Sequence, residues 1–329
     1  MSEQIFKTYL QAIGKGHRSG RTLTQEEAFD AMSLLLAGKV TPEQRGAFLM
    51  LLRVREETSE EIAGFLQATR AYNNPKLKQL KIDLDMPCYA GKRRHLPWLI
   101  LAMLCIVQMG KKVLIHGTDE PDTKRLYVSD ALTQLGYNIA NSIPEIERTL
   151  ELRGFAYSDL SFINSQLDDL IKLRAQFGLR SCANTLSRML NPADAHTSLQ
   201  GVYHRGLDSK HAKVARLLNE RTTAFRGDAG ELEVNPERAC ELLMTQNQET
   251  KILTIPAVNE NWSIKPRKLD VQLLREVWSG EVVDKYGIGA TLSTLSAMLI
   301  AMDNSLSFET AANEALELWK HRNLNLLKL

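Results

Sequence analysis

Residues 82–107 read IDLDMPCYAGKRRHLPWLILAMLCIV. A short apolar run leads into a turn at Gly91, Lys92, Arg93 and Arg94, and a longer apolar run follows it. The first run has strand length, and the second is long enough for a helix, with Pro97 in its first turn, where a missing N–H costs nothing. A helix N-terminus carries unpaired N–H groups and partial positive charge, so anions collect there. Lys92, Arg93 and Arg94 add three full charges just before it. The segment is therefore expected to open a buried helix inside a cleft and to form a site for a polyanion.

Downstream, residues 112–116, 198–203, 222–225 and 252–255 have the composition of short strands, and helical stretches separate them. Strands alternating with helices predict a mostly parallel sheet flanked by helices, because parallel pairing needs crossover connections. Upstream, Thr24-Gln25-Glu26-Glu27, Thr41-Pro42-Glu43-Gln44 and Thr58-Ser59-Glu60-Glu61 each place a hydroxyl three residues before a carboxylate or amide. That is the capping-box spacing, and it predicts a small bundle of short helices. The turn at Asn73-Asn74-Pro75 separates the two patterns, and the helical, basic stretch Leu167–Leu190 returns to the bundle. The expected fold class is α/β. Residues 1–72 with about 163–192 form a small helical domain, and residues 73–162 with 193–329 form the α/β domain. From Trp278 to Leu299 we expect loop and core helix, with no phosphate motif at Gly280, Gly287 or Gly289.

With 329 residues, 44% of them hydrophobic, the chain has enough apolar surface for two lobes. Its start, Met1-Ser2-Glu3-Gln4, is polar and acidic, and its longest apolar run is too short to span a bilayer, so a cytoplasmic protein with no membrane partner is expected. Cys88, Cys105, Cys182 and Cys240 have no paired spacing and are expected as reduced structural thiols. The net charge of +2 conceals an uneven distribution. Residues 172–226 carry ten Lys and Arg against three acids, a net +7, and residues 91–125 carry seven against three, a net +4. The rest of the chain is acidic. Two basic blocks in an otherwise acidic chain point to a polyanionic partner, since clustered cations raise the local potential.

The run Leu36-Ala37-Gly38-Lys39-Val40-Thr41-Pro42-Glu43-Gln44-Arg45-Gly46-Ala47-Phe48, followed by Glu57-Thr58-Ser59-Glu60-Glu61-Ile62-Ala63-Gly64, resembles the N-terminal domain of anthranilate phosphoribosyltransferases. His116-Gly117 stands where that family has HGN. Arg180-Ser181-Cys182-Ala183-Asn184-Thr185-Leu186 through Asn191-Pro192, with Gly201-Val202-Tyr203, resembles further segments in the same order. The departures fall on the chemistry. The family's G-T-G-G-D diphosphate loop is replaced by Tyr89-Ala90-Gly91-Lys92-Arg93, its HGNR by His116-Gly117-Thr118-Asp119, and its hydroxyl-rich phosphate segment by Asp122-Thr123-Lys124-Arg125-Leu126-Tyr127-Val128-Ser129-Asp130. The magnesium-binding D-E pair meets Gly230-Glu231, with Asp228 or Glu233 able to substitute for the missing carboxylate.

Diphosphate loop, acceptor pocket and metal pair are altered together while the scaffold signals persist. The pattern is similar to the nucleic-acid-binding paralogues of that family, a second TrpD type on the nucleoside phosphorylase/phosphoribosyltransferase fold. The resemblance implies single- or double-stranded nucleic acid held with little sequence preference in a basic groove at the former substrate site, a homodimer joined through the small helical domains, and no cofactor. The expected groove residues are Lys92, Arg93, Arg94, Lys124, Arg125, Arg174, Arg180, Arg205, Lys210 and Lys213, with Arg205 at the start of a basic helix that carries the two lysines. Tyr89, Tyr127 and Tyr203 are candidates for stacking on bases. The alternative is an enzyme, a phosphoribosyltransferase or nucleoside phosphorylase with an altered donor site. In that case His116 and Asp130 are the catalytic candidates, Glu231 and Asp228 the metal ligands, and magnesium the cofactor.

Overall fold

The computed structural model describes residues 2–16, 19–120, 124–259, 261–263 and 268–327. Asp122 and Thr123, which open the segment compared above with a phosphate-binding run, lie outside them. The four N-terminal helices are Ser2–Gly14, Gln25–Leu36, Pro42–Arg55 and Ser59–Arg70. All three expected capping boxes form, with Thr24, Thr41 and Thr58 accepting from the backbone N–H groups of Glu27, Gln44 and Glu61. Glu61 does more than cap. Fully buried, it also accepts the Leu23 N–H at 2.8 Å and pairs with Arg55 at 2.6 Å, tying three segments of the bundle together.

The α/β domain is built on one seven-stranded sheet. Its strands are β1 Leu84–Cys88, β2 Val113–Gly117, β3 Phe155–Asp159, β4 Thr197–Val202, β5 Thr222–Arg226, β6 Cys240–Gln246 and β7 Glu249–Ile255, in the spatial order β3-β2-β1-β4-β5-β6-β7. The first five pair in parallel, whereas β6 and β7 add an antiparallel hairpin at one edge. The expected run 252–255 thus belongs to that hairpin. Neither β3 nor β6 is signalled by sequence, because each is buried almost throughout and lacks the alternation of a half-buried strand.

Side chains on β2 alternate between two cores, as a strand of period two requires. Val113 and Ile115 join the cluster containing helix Leu99–Gln108 and helix Lys285–Met302, while Leu114 joins the cluster that runs into the helical domain. Nine consecutive residues of helix Leu99–Gln108 are buried, so the helix is apolar all round and has no solvent face. It starts two residues after Pro97, with Trp98 at its cap position and no side-chain cap of its own. The stretch expected as one helix from Leu167 to Leu190 is broken into Ser165–Lys172, Arg174–Phe177 and Ala183–Leu186, with Gly178 in the left-handed region at the second break. Leu167, Leu170, Ala183 and Leu186 share one apolar core with the four N-terminal helices.

Helices Gln25–Leu36 and Ser59–Arg70 touch through Gly64, where a Cβ would lie 2.1 Å from the Gln25 carbonyl oxygen and 2.8 Å from the Phe29 nitrogen. Both atoms are backbone and cannot step aside. We expect Gly64→Ala to lower the unfolding free energy by about 1–3 kcal/mol through overpacking, despite its better helix propensity. Urea denaturation checks this, and an unchanged midpoint would refute the close approach.

Candidate functional site

Strand order reverses between β1 and β4, the first running on to β2 and β3 and the second to β5. In open α/β sheets the loops leaving such a switch point diverge and leave a crevice outside the carboxyl ends of the strands. Here the crevice is a cleft of about 510 Å³. The loop after β1 contributes Arg93, Arg94 and His95, that after β2 contributes Arg125, those after β4 and β5 contribute Tyr203, His204 and Asp228, and the helical domain adds Arg53, Arg180 and Arg188 from the far side. With Arg238 there are seven arginines, against Asp228 and Glu237 as the acids. A wider depression at the opposite ends of the strands mixes Lys111, Lys112 and Arg153 with Glu151 and Glu317, and so concentrates no charge.

The loop after β1 overturns part of the expectation. Gly91 adopts φ +66°, and a Cβ there would meet Arg125 and Tyr127 at 3.0 and 3.1 Å, so the turn requires glycine. The N–H groups of Ala90 and Gly91 both point at one oxygen of Glu231, at 2.7 and 2.5 Å. Lys92 then pairs its backbone with Leu126 through two hydrogen bonds of 2.8 Å and turns its side chain inward. It is completely buried, with Nζ 2.5 Å from Asp228 Oδ2 and 2.6 Å from Glu233 Oε1. The second oxygen of Glu233 accepts the N–H of Leu99, in the first turn of the buried helix. Lys92 is therefore no surface cation, and the helix N-terminus expected to attract an external anion is occupied by the protein's own carboxylate. An ammonium group without partners is too costly to bury, and these two acids supply them.

Burial alone would lower the lysine's pKa, but Glu233 and Asp228 outweigh it and raise it. Burial likewise works against charge on Asp228, yet Lys92 and Asn235 hold its carboxyl below the usual range. On Glu233 burial prevails over Lys92, and its pKa rises to about 7. Burial also raises Glu231, whose second oxygen has no hydrogen-bond partner among the described residues.

These acids do not fit a divalent cation. Where Asp228 and Glu233 converge, an ammonium already lies between them, and Glu231 is held by two amides. Among the described residues no group of three or more His, Cys, Asp or Glu is arranged to hold a metal ion.

Other expected residues are dispersed. His116 is fully buried, bridging Tyr89 Oη at 2.7 Å and Asp85 at 3.0 Å, and Asp85 also accepts from Ser198. This network ties β1, β2 and β4 together and does not line the cleft. Asp130 accepts the Tyr127 N–H at 3.4 Å in the first turn of helix Val128–Gln134, a capping role. Arg174 and Arg180 both pair with Glu120, and only Arg180 also lines the cleft. Lys210 donates to the Glu57 carbonyl at 2.7 Å and clasps helix Leu207–Leu217 to the helical domain. Lys124, Arg205 and Lys213 are exposed but do not line the cleft. Of the tyrosines, Tyr89 and Tyr127 are buried and unavailable for stacking, whereas Tyr203 is exposed.

Arg53, Arg188 and Arg238 escaped sequence reading. Arg53 and Arg188 reach the cleft only because the helical domain folds over the sheet, and no local motif marks them. Arg125 donates to the carbonyls of Ala90 and Gly91 at 2.6 and 3.2 Å, which fixes it against the β1 loop.

His211, at the cleft floor, places Nδ1 2.9 Å from Gln200 Oε1, and burial lowers its pKa to about 3. Its ring is neutral at pH 7, leaving the positive charge of the cleft to the arginines. A base with a depressed folded pKa binds fewer protons when folded, so its contribution to stability is complete above about pH 6.5 and is lost as pH falls toward 3. We expect His211→Gln to remove up to about 1.4 kcal/mol per pH unit from the acid slope of stability in that window. Urea titrations at pH 7 and 5 measure it, and parallel slopes for variant and parent would contradict the buried neutral ring.

A second expectation concerns the buried lysine. Lys92→Met should cost about 3–5 kcal/mol by stranding two acids, and adding Asp228→Asn with Glu233→Gln should return part of it. Thermal denaturation with and without millimolar magnesium completes the test, because a magnesium-dependent rise in the parent's midpoint would mean that the acids take a metal after all.

Comparison with known proteins supports the architecture. Residues 7–72 match the glycosyl transferase family helical bundle domain, and residues 109–321 match the glycosyl transferase family a/b domain. The chain is 33% identical over 206 residues to an anthranilate phosphoribosyltransferase of Methylocella silvestris, covering 61% of this chain and 57% of that relative. The match thus spans little more than half of that relative's length. An uncharacterized protein of Aquifex aeolicus is 27% identical over 263 residues, 79% of this chain and 77% of that one. In fold, the chain is similar to the anthranilate phosphoribosyltransferase of Saccharomyces cerevisiae solved in complex with PRPP and Mg, with a TM-score of 0.78 at 18% identity over 99% of this chain and 96% of that one. With its a/b domain matched over well more than half of its length, and its N-terminal bundle matched as well, this chain belongs to the glycosyl transferase family that joins these two domains.

Proposed function

We propose that the chain binds nucleic acid in the arginine cleft, with little sequence preference, and that it does not transfer a phosphoribosyl group. The observation that carries this reading is the disposition of charge at the β1 loop. Its amides are taken by Glu231 and the acids facing it, Asp228 and Glu233, by Lys92, while Arg93 and Arg94 beside them remain exposed. A diphosphate donor bound through magnesium would need both the amides and the acids. A sugar–phosphate backbone needs neither, because exposed guanidinium groups pair with successive phosphates and release their counterions.

The names of the relatives favour a second reading, phosphoribosyl transfer, since one is called an anthranilate phosphoribosyltransferase and the yeast enzyme was solved with PRPP and Mg. The two readings part experimentally. Arg93→Glu with Arg94→Glu should weaken binding of a labelled oligonucleotide at least roughly tenfold and flatten the slope of log K against log salt by about 1.4–1.8, the loss of two phosphate contacts. Anisotropy titrations at several salt concentrations measure both quantities. Unchanged affinity and slope, or turnover of PRPP with anthranilate and magnesium by the parent protein, would discard the binding reading.

A further inference from the structure

The arginine cleft also carries exposed aromatic rings, which a site for phosphates alone does not need. Of the four tryptophans, Trp98, Trp278 and Trp319 are buried, whereas Trp262 is 73% exposed. Tyr203 is 62% exposed, and among the described residues no other phenylalanine, tyrosine or tryptophan is more than half exposed. Both line the cleft, together with Arg93, Arg94 and Arg238. An aromatic ring offers some of the largest burial available to any side chain, so two rings left in water beside the same row of cations call for a ligand with apolar faces and negative charge.

Each ring is mounted on tethered backbone. Tyr203 directly follows the last residue of β4, its Cβ seated over Gly230, where a side chain at φ +85° would come within 3.1 Å. Its ring meets that of His204 edge to face, with centroids 5.1 Å apart. Beside Trp262, the N–H of Ser263 donates to Glu237 Oε1 at 2.5 Å, and Glu237 itself lines the cleft.

We infer that Tyr203 and Trp262 are stacking platforms for unpaired bases, and that the cleft therefore prefers single-stranded nucleic acid to duplex or to a base-free polyphosphate. The inference rests on the nucleic-acid reading above and narrows it to one class of ligand. Arginines neutralise the backbone while the rings take successive bases, whose π-faces are free only when the strand is unpaired. Duplex bases have both faces covered by their neighbours and gain nothing from the rings. Stacking on an aromatic ring does not distinguish one base from another, which agrees with low sequence preference.

The test uses the full chain with three probes, a dT oligonucleotide, a duplex of the same length and inorganic polyphosphate. With the other three tryptophans buried, binding of the oligonucleotide should quench tryptophan emission, and Trp262→Phe should lose that quenching while keeping most of the affinity. Trp262→Ala should weaken oligonucleotide binding by about 5- to 100-fold and leave duplex and polyphosphate binding within about twofold. Because Trp262 is exposed, an unchanged melting temperature shows that each variant is folded. If Trp262→Ala leaves oligonucleotide affinity unchanged, or weakens all three probes equally, the stacking inference fails while the basic cleft stands. If the parent protein binds none of the three probes, the nucleic-acid reading fails and takes this inference with it.

Discussion

The ammonium group of Lys92, completely buried between Asp228 and Glu233, is the interaction on which the site depends. One bond network runs from the loop after β1, through this lysine, to the segment after β5, and then through the other oxygen of Glu233 to the first turn of the central helix. The segment after β5 is far in sequence from the other two pieces, and each of the three needs the others. Without the lysine two carboxylates are buried unpaired. Without Glu233 both the lysine and the helix N-terminus lose a partner. Such a triad stabilises the fold only as a set, which is the usual behaviour of buried charge.

The same network determines what the cleft offers to a ligand. Parallel strands that diverge at a switch point leave backbone amides and loop side chains facing a crevice, and a fold of this kind readily takes a phosphate there. In this chain Glu231 fills the amide position and Lys92 fills the place between the acids, so both features are satisfied within the protein. Positive potential then comes from the arginines around the rim and from the facing helical domain, with His211 neutral beneath them. A guanidinium keeps its charge at any physiological pH and matches phosphate geometry, so a cleft of this composition is suited to an extended polyanion.

Local chemistry made much of the architecture legible. The three hydroxyls that cap the bundle act within four residues of themselves, and β1, β2, β4 and β5 lie close to where their apolar runs suggested. What escaped was non-local or without period. Strands β3 and β6 are buried almost throughout and so show no alternation, and the helix expected through Leu190 breaks at Gly178. At the site, Arg93, Arg94, Arg125 and Arg180 were recognisable as cleft residues, whereas Arg53, Arg188, Arg238 and Trp262 were not. Each of these four reaches the cleft by folding of distant chain, and nothing beside it in sequence marks it.

Gly91-Lys92-Arg93-Arg94 shows the division most clearly. By itself the sequence determined that a glycine turn followed by three cations precedes an apolar helix, because turn conformation and helix burial follow from nearby residue types. It did not determine which cations face water. Tertiary structure decided that, sending Lys92 inward to acids about 140 residues away along the chain and leaving Arg93 and Arg94 outside. The physical reason is the cost of dehydrating charge. A cation goes inside only where the fold brings enough opposite charge to meet it, and that supply is set by strand order and loop packing that no short stretch of sequence encodes.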